Sequence, residues 1–521
     1  MLNLSLLLEN SARTHPDHPA LVFADRRWTY AEVEADANRV ANLLMDRGVR
    51  PGDRVALACP NLPAFPAIYF GILKVGAVVV PMNVLNKCDD FAYHLADSGA
   101  TVFFCYAGTD GMAVGAEGLA AFERAPDCRL FVMIPAGPGG LTIDGQETLD
   151  TAMAGRATTF DMVPRRETDP AVILYTSGTT GHPKGATLSH SNLLLNAETC
   201  YRAFSNAPGL DTHLVVLPLF HSFAATVNML NGFGSASTLV LVPRFDPATV
   251  LRLLQTRPVT FLAAVPTMYW GLLHALAADT DIAAITRDLR LVVSGGSSLP
   301  VAVIDEFRQR FGTTILEAYG LSETSPGTSF TTPGEPPRPG SIGVPGWGIE
   351  MKLVDADGKT IEGTDEIGEI AIRGHNVMLG YHNRPEATAA AIRDGWFHTG
   401  DVGRRDEDGW YYIVDRLKDM IIRGGYNVYP REIEEILMQH EAVALAAVIG
   451  VPDERLGEEI EAVIVRKPGS DVSADEIMNW ARERLAAHKY PRLVTFVAEI
   501  PLGPTGKPLK RDLARSTSAA R

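Results

Sequence analysis

Short apolar runs of strand length alternate with longer amphipathic runs over most of the first 330 residues. One unit comprises residues 54–59, 63–75 and 77–80, whose pattern predicts strand, helix and strand. Similar strand patterns recur up to residues 131–134, and again at 258–264, 289–294 and 314–318. Such alternation favours parallel sheets covered by helices on both faces. We therefore predict a doubly wound α/β fold to about residue 335, with ligands beyond the carboxyl ends of its strands.

The pattern of predicted strands and helices changes twice after this region. From residue 340, short strand patterns are separated by Asp-Gly and Gly turns, which is typical of a small β-barrel or a distorted sheet. Beyond residue 415, helix and strand patterns predict a compact α+β unit. Because 521 residues are too many for a single core, we predict an N-terminal domain over 1–417 and a mobile C-terminal domain over 418–521. The N-terminal domain would comprise α/β subdomains over about 1–170 and 171–335 and a β-rich subdomain over 336–417.

Residues 175–185, Tyr-Thr-Ser-Gly-Thr-Thr-Gly-His-Pro-Lys-Gly, follow the strand-like run 171–174. Glycines that turn backbone amides toward one point, short hydroxyls and a lysine together suit phosphate oxygens. The residues concerned are Thr176, Ser177, Gly178, Thr179, Thr180, Gly181 and Lys184. Gly178, Gly181 and Lys184 are separated by two residues each, and Pro183 precedes the lysine, so the Walker pattern is excluded. A surface turn would need neither four hydroxyls nor a lysine.

Further motifs with chemical potential follow this phosphate loop. They are Tyr319-Gly320-Leu321-Ser322-Glu323-Thr324 with Ser294-Gly295-Gly296-Ser297 before it, the glycine-flanked turn predicted at Gly395 to Asp401, the pair Asp415-Arg416, and Pro504-Thr505-Gly506-Lys507-Pro508. A single glutamate beside bound phosphates is sufficient for a hard divalent cation. An acidic side chain that accepts from both ribose hydroxyls is a common way to bind a sugar. The segment 368–374, with Gly380-Tyr381 after it, is interpreted as scaffold.

In this order, the motifs resemble those of the adenylate-forming superfamily, which includes acyl-CoA synthetases, luciferases and peptide-synthetase adenylation domains. The resemblance extends over nearly the whole chain and favours the acyl-CoA synthetase branch. It implies ATP, Mg²⁺ and coenzyme A as cofactors. It also implies a C-terminal domain that rotates between two half-reactions and allows a homodimer.

The resemblance implies a role for individual residues. Tyr319 would stack on adenine, Ser322, where threonine is commoner, would contact phosphate, and Glu323 would hold Mg²⁺. Asp401 would bind ribose with help from Arg416, and Lys507 would bridge the acyl carboxylate and the α-phosphate. The implied catalytic set is Lys507, His221, Thr176, Glu323 and the hinge residue Lys418; the nucleotide set adds Ser177, Gly178, Thr179, Thr180, Gly181, Lys184, Gly295, Gly296, Ser297, Glu317, Ala318, Tyr319, Gly320, Ser322, Asp401, Ile413 and Arg416.

The implied reaction converts a carboxylic acid and ATP to an acyl-adenylate and pyrophosphate, from which a thiol takes the acyl group. Gly424 and Gly425 would let the CoA thiol approach the backbone. An apolar acyl pocket is predicted at His221, Phe220, Phe223, Val227, Ser325 and Gly327. No aspartate for an α-amine occurs between residues 214 and 228. A medium- or long-chain fatty acid is favoured; an aryl acid or a dicarboxylate, luciferase-like oxidation, carrier-protein loading and a non-catalytic nucleotide-binding protein are alternatives.

Charge, cysteine spacing and apolar runs indicate which binding partners and which cellular compartment to expect. A net charge of −15 and a pI near 5.4 argue against nucleic acid. Five scattered cysteines favour neither disulfides nor a zinc site. The N-terminus lacks the basic lead of a signal peptide, and no run approaches the ~18 apolar residues of a membrane span. About fourteen residues follow Lys507, so we expect CoA rather than a fused carrier domain as the acyl acceptor. We also expect a cytoplasmic location.

Overall fold

The computed structural model describes residues 2–135, 137, 140–176, 183–205, 207–277, 279–334, 338–417, 419–453, 455–501, 510 and 513. Its helices are α1 (Leu6–Thr14), α2 (Tyr30–Asp46), α3 (Ala64–Lys74), α4 (Cys88–Ser98), α5 (Val114–Glu123), α6 (Leu149–Met153), α7 (His190–Ala203), α8 (Asn231–Gly234), α9 (Pro247–Thr256), α10 (Pro266–Ala275), α11 (Ile282–Thr286), α12 (Val301–Phe311), α13 (Pro385–Ala391), α14 (Pro430–Met438) and α15 (Ala474–Arg484), with a π-helix at Ala224–Leu230 and a 3₁₀ turn at Ser322–Thr324.

The strands are β1 (Pro19–Phe23), β2 (Arg26–Thr29), β3 (Arg54–Ala58), β4 (Val78–Met82), β5 (Ala100–Tyr106), β6 (Leu130–Ile134), β7 (Pro170–Thr176), β8 (Lys184–Ser189), β9 (Thr212–Val215), β10 (Thr238–Leu241), β11 (Phe261–Ala264), β12 (Leu291–Ser294), β13 (Leu316–Gly320), β14 (Gly327–Phe330), β15 (Ser341–Pro345), β16 (Ile349–Val354), β17 (Thr360–Ile361), β18 (Gly368–Gly374), β19 (Gly380–Tyr381), β20 (Ile392–Arg393), β21 (Trp396–Arg405), β22 (Tyr411–Arg416), β23 (Ile421–Arg423), β24 (Tyr426–Val428), β25 (Val443–Asp453), β26 (Gly457–Arg466) and β27 (Leu493–Val497).

The first sheet has the order β19-β8-β7-β4-β3-β5-β6. Its central strands β7, β4, β3, β5 and β6 run parallel, as the strand and helix alternation predicts. β7 and β8 form an antiparallel pair, and the phosphate loop connects them. Both ends of that loop are therefore anchored in the same sheet.

The second sheet runs from β17 through β16, β18, β21, β22, β15, β14, β13, β12, β11, β9 and β10 to β1 and β2. The pairs from β13 through β10 are parallel, whereas the β-rich segment joins the same sheet through antiparallel pairs from β14 onward. β1 pairs with β10, although its residues precede the first sheet in the chain. The two α/β sheets therefore do not divide the chain at residue 170.

The C-terminal residues form a third sheet of order β24-β23-β26-β25, with β27 parallel to β26. Its own core includes Ile433 on α14, Val448 on β25 and Ile477 on α15, all fully buried. The Arg431 guanidinium on α14 donates to the carbonyl of Ile413 on β22 at 2.7 Å. This contact joins the third sheet's helix layer to the second sheet.

Local signals account for most helix starts. Thr29 and Glu32 form the capping box of α2, and Ser189 and Asn192 form that of α7. α1 begins at Leu6, and the Asn3 side chain before it donates to the carbonyls of Leu73 and Val163. Among the residues that the structure describes, no helix combines the length and apolar character that crossing a bilayer requires.

Candidate active site

Tyr319 on β13, Asp401 on β21 and Arg416 on β22 form a hydrogen-bonded group in the second sheet. The Tyr319 hydroxyl donates to Asp401 Oδ2 at 2.7 Å, and Arg416 Nε lies 3.0 Å from Asp401 Oδ1. Burial, reinforced by the Asp401 carboxylate, raises the pKa of Tyr319 well above its ordinary value, so the phenol keeps its proton. Asp401 raises the pKa of Arg416 in turn. Three of the sequence motifs are thus brought together around one carboxylate.

Strand pairing sets the Asp401 geometry. Asp401 lies on β21, opposite Arg416 on β22. The prediction that Asp401 sits on a turn is wrong, because Gly400, with φ of 72°, turns the backbone inside the strand and lets Asp401 continue it. The Asp401 amide donates to Thr399 Oγ1 at 3.0 Å.

A second group surrounds Glu323, in the 3₁₀ turn after β13. Glu323 Oε1 accepts from the Tyr381 hydroxyl at 3.0 Å and lies 3.5 Å from Thr176 Oγ1. Lys184 Nζ lies over the Tyr381 ring at 5.2 Å from its centroid, a cation–π contact. Thr176 and Lys184 face each other across β7 and β8. The predicted metal carboxylate therefore lies beside both ends of the phosphate loop.

The Glu323 surroundings fit Mg²⁺ that arrives with a triphosphate. Over the described ranges, no group of three or more His, Cys, Asp or Glu side chains could hold a metal ion by itself. Mg²⁺ usually keeps several waters and binds one or two carboxylates plus substrate phosphates. A single glutamate next to the loop that would hold those phosphates meets this requirement.

Some predicted site residues lie outside the described part of the chain. They are Ser177, Gly178, Thr179, Thr180 and Gly181 in the phosphate loop, the hinge residue Lys418 and the catalytic residue Lys507. Their roles stay predictions.

The segment that precedes the predicted adenine site is tightly packed. A Cβ on Gly295 would lie 3.1 Å from the Ala318 carbonyl oxygen and 3.1 Å from the Phe223 ring, so this position admits only glycine without displacement. Gly296 has φ of 82°, and Ser297 is partly exposed after it. Burial raises the pKa of Glu317 to about 7, although Arg431 and the Gly340 amide favour its ionised form.

The predicted acyl-pocket residues lie in two segments: Phe220, His221 and Phe223 precede the π-helix that contains Val227, and Ser325 lies just before β14 and Gly327 at its start. Phe223 and Val227 are buried, Phe220 and His221 partly so. The Phe223 amide donates to His221 Nδ1 at 3.3 Å, which leaves Nε2 to carry the proton of the neutral ring. π-Helical segments occur often at functional sites.

Ser325 and Gly327 hold the shape of the loop that lies against this π-helix. The Ser325 hydroxyl donates to the carbonyl of Asn376 at 2.8 Å, and its own carbonyl accepts from Thr226 Oγ1 at 2.6 Å. The Asn196 side chain bonds both the amide and the carbonyl of Gly327. The loop is thus fixed to α7 and to the π-helix.

Gly424 and Gly425 form the turn between β23 and β24 in the third sheet. Their φ angles are 57° and 85°, and the Gly424 amide donates to the carbonyl of Leu456 at 2.8 Å. A Cβ on Gly425 would meet no atom within 4 Å. Backbone without side chains is therefore presented at this turn, as approach of a thiol would require.

Sequence reasoning missed one site residue. Tyr381, interpreted as scaffold, donates to Glu323, so that interpretation is wrong for its side chain. A tyrosine at the end of a short strand has the same local pattern whether its hydroxyl meets solvent or a carboxylate. The signal that could have indicated Tyr381 as a site residue is its position shortly after the segment 368–374.

Comparisons with known proteins identify the family of this chain. Residues 8–382 match the family model described as AMP-binding enzyme, and residues 432–507 match that of the AMP-binding enzyme C-terminal domain. A long-chain-fatty-acid–CoA ligase of Bacillus subtilis (strain 168) is 35% identical over 528 residues, which cover 98% of this chain and 94% of that protein. A feruloyl-CoA synthase of Amycolatopsis sp is 37% identical over 506 residues, 97% of each. The solved structure of an anthranilate CoA ligase in complex with anthranoyl-AMP superimposes with a TM-score of 0.91 at 30% identity, covering 99% of this chain and 98% of that one.

Proposed function

Because the chain belongs to the AMP-binding enzyme family, in the acyl-CoA synthetase branch of the adenylate-forming superfamily, we propose that it joins a carboxylic acid bearing an apolar acyl or aryl group to coenzyme A at the expense of ATP. The observation that carries this proposal is the meeting of Tyr319, Asp401 and Arg416 at hydrogen-bond distances. The Tyr319 ring could stack on the adenine base, and the Asp401 carboxylate, with the Arg416 cation beside it, could bind the ribose hydroxyls.

The first half-reaction forms an acyl-adenylate. A carboxylate oxygen of the acid attacks the α-phosphorus, and the bond from that phosphorus to pyrophosphate breaks. Thr176 and Lys184 would hold the phosphates of ATP, and Lys507 would neutralise charge at the attacking carboxylate and the α-phosphate. When bound with the triphosphate, Mg²⁺ would neutralise charge on its oxygens.

The second half-reaction moves the acyl group to sulfur. The CoA sulfur attacks the acyl carbon, the bond from that carbon to AMP breaks, and the thiol proton is lost. Gly424 and Gly425 would leave room for the thiol and its arm. Lys418 would act as the hinge about which the C-terminal domain turns between the two half-reactions.

We favour a medium- or long-chain fatty acid, because the pocket residues Phe220, Phe223 and Val227 carry no charge. The second candidate is a planar aryl acid. Phe220 and Phe223 supply two aromatic rings to the predicted pocket, and such rings pack favourably against a planar aryl group. The feruloyl and anthranilate ligases among the relatives support this candidate, and the Bacillus fatty-acid ligase supports the first.

ATP–pyrophosphate exchange across a panel of acids tests the proposal. The panel contains octanoate, palmitate, benzoate, ferulate and malonate, and each acid is assayed with and without CoA. Exchange with one class, followed by AMP and thioester formation when CoA is added, is expected. Exchange with aryl acids alone would overturn the fatty-acid assignment, and exchange with none would overturn the ligase proposal.

A further inference from the structure

Helix α4 contacts both ends of the phosphate loop, although it belongs to none of the recognised motifs. The Tyr93 hydroxyl donates to the carbonyl of Pro183 at 2.8 Å. The Tyr175 hydroxyl donates to Asp97 Oδ2 at 2.8 Å, and the His94 ring stacks on Tyr175 at 4.3 Å between centroids. Tyr175 directly precedes Thr176, and Pro183 directly precedes Lys184. One face of α4 therefore holds Tyr175 and Pro183, the residues that directly precede Thr176 and Lys184.

The second oxygen of Asp97 reaches a different part of the chain. Arg384 Nη2 donates to Asp97 Oδ1 at 2.5 Å. The Arg384 amide bonds the carbonyl of Tyr381, whose hydroxyl holds Glu323. The His382 amide also donates to the carbonyl of Gly185 at 2.7 Å, just after Lys184. A single carboxylate thus links the start of the phosphate loop to the segment that positions the predicted metal carboxylate.

The burial and charges of Asp97, Tyr175 and Arg384 favour a stable contact among these three side chains. The Asp97 side chain is only 10% exposed, and Arg384 covers it from the solvent side at 43% exposure. Burial and the hydrogen bond to Asp97 raise the pKa of Tyr175 far above its ordinary value, so the phenol keeps the proton that it donates. Asp97 raises the pKa of Arg384. Hydrogen bonds to an ionised group at partial burial are roughly twice as strong as neutral ones.

We propose that Asp97, together with Tyr175 and Arg384, is a positioning residue for MgATP. This group of three residues, the Asp97 clasp, holds Thr176 and Lys184 in place relative to Glu323. The inference rests on the proposed function, in which that loop binds the triphosphate. Ligand binding costs conformational freedom in the residues that it orders. Ends that are already fixed reduce this loss, so the clasp acts on ATP affinity. In the proposed function the acid binds at the predicted acyl pocket and CoA at the turn of Gly424 and Gly425, so neither is expected to depend on these contacts.

Three variants test the clasp: Asp97→Asn, Tyr175→Phe and the double variant. Tyr175→Phe removes one hydroxyl and keeps the ring that stacks on His94. Glu350→Gln is the matched control, because Glu350 also accepts two bonds from an arginine, Arg373, at an exposed position on β16. The measurements are KM for ATP, for the acid and for CoA, the Mg²⁺ concentration for half-maximal rate, and the melting temperature.

We expect KM for ATP and the Mg²⁺ requirement to rise about tenfold in Asp97→Asn, which corresponds to one lost charge-assisted hydrogen bond. A smaller rise is expected in Tyr175→Phe, with the double variant no worse than Asp97→Asn because both act through one link. KM for the acid and for CoA should stay within about twofold, as should all values for Glu350→Gln. An unchanged KM for ATP in both single variants, or equal rises of all three KM values, would overturn the positioning role.

Direct titration of MgATP into the enzyme without acid separates this inference from the proposed function. If no acid supports exchange in the unsubstituted protein, the ligase proposal fails, and the titration still decides on the clasp. Weaker MgATP binding by Tyr175→Phe than by Glu350→Gln supports the clasp, and equal binding refutes it.

Discussion

Glu317 illustrates at the residue scale how burial changes a carboxyl group at the edge of the site. Its side chain is 7% exposed on β13, two residues before Tyr319. Glu317 Oε1 accepts from the Gly340 amide at 3.2 Å, and the Arg431 guanidinium lies close enough to favour its charge. Desolvation outweighs both, so the pKa of Glu317 rises to about 7.

The raised pKa of Glu317 predicts a pH-dependent stability. In the unfolded chain the group ionises near its ordinary value of 4.5, whereas in the fold it keeps its proton to about pH 7. The folded state therefore binds more protons between these values, and stability falls as pH rises, by up to about 3 kcal/mol in total above pH 7. Glu317→Gln keeps the bond to Gly340 without the charge.

We expect the melting temperature of Glu317→Gln to exceed that of the unsubstituted protein at pH 8 by more than it does at pH 5. Thermal unfolding at both pH values measures this difference. Glu350→Gln, whose parent residue is exposed, serves as the control. The same difference at the two pH values would contradict the effect of burial.

At the scale of elements, the turn from β13 to β14 depends on a glycine that local patterns do not distinguish. β13 and β14 pair Gly320 with Gly327, and the chain between them folds back on itself. A Cβ on Gly320 would lie 1.7 Å from the Pro326 carbonyl oxygen, which is far inside contact distance. The backbones can therefore approach this closely only without a side chain.

Gly320→Ala is expected to displace the turn that carries Glu323 and to lower both stability and ATP-dependent activity. Overpacking of this kind costs about 1–3 kcal/mol or more. Gly111→Ala is the control, because no atom lies within 4 Å of its added Cβ. Melting temperature and pyrophosphate exchange measure the effect, and a Gly320→Ala protein that matches Gly111→Ala in both would refute it.

At the scale of the whole molecule, the contacts between the third sheet's helix layer and β22 limit where the C-terminal residues can sit. The Arg431 amide donates to Asp415 Oδ2 at 3.0 Å, and the Arg431 guanidinium donates to the carbonyl of Ile413 at 2.7 Å. These contacts would break or exchange if the C-terminal domain turned at Lys418. Two orientations would then serve two half-reactions with different groups at one site.

Domain alternation predicts opposite defects in two variants. Lys507→Ala should abolish adenylation, because the charge at the α-phosphate is lost, yet should spare thioester formation from supplied acyl-adenylate. Lys418→Pro should do the reverse, because it restricts the backbone at the hinge. Pyrophosphate exchange and the release of AMP from synthetic acyl-adenylate with CoA measure the two steps. Equal loss of both steps in both variants would exclude alternation.

Patterns along the chain were sufficient for the parallel strands and for the family. The resemblance that these motifs carry implied Tyr319, Glu323, Asp401 and Arg416 as site residues, and the motifs could be recognised because glycine turns, hydroxyls and carboxylates are distinctive in short segments. They did not predict that β1 would pair with β10 rather than with the first sheet. Strand partners depend on contacts between distant segments, which local periodicity does not encode.

The sequence by itself determined which chemical groups this protein carries and the order in which it presents them, since each motif is a local arrangement of backbone and side chains. Only the tertiary structure decided which groups meet. Tyr319 reaches Asp401 across 82 residues, and Asp97 reaches Arg384 across 287. Tyr381 and Asp97 lie on elements that have the local pattern of ordinary scaffold, and they join the site because the first sheet, α4 and the segment after β19 pack together beside both ends of the phosphate loop.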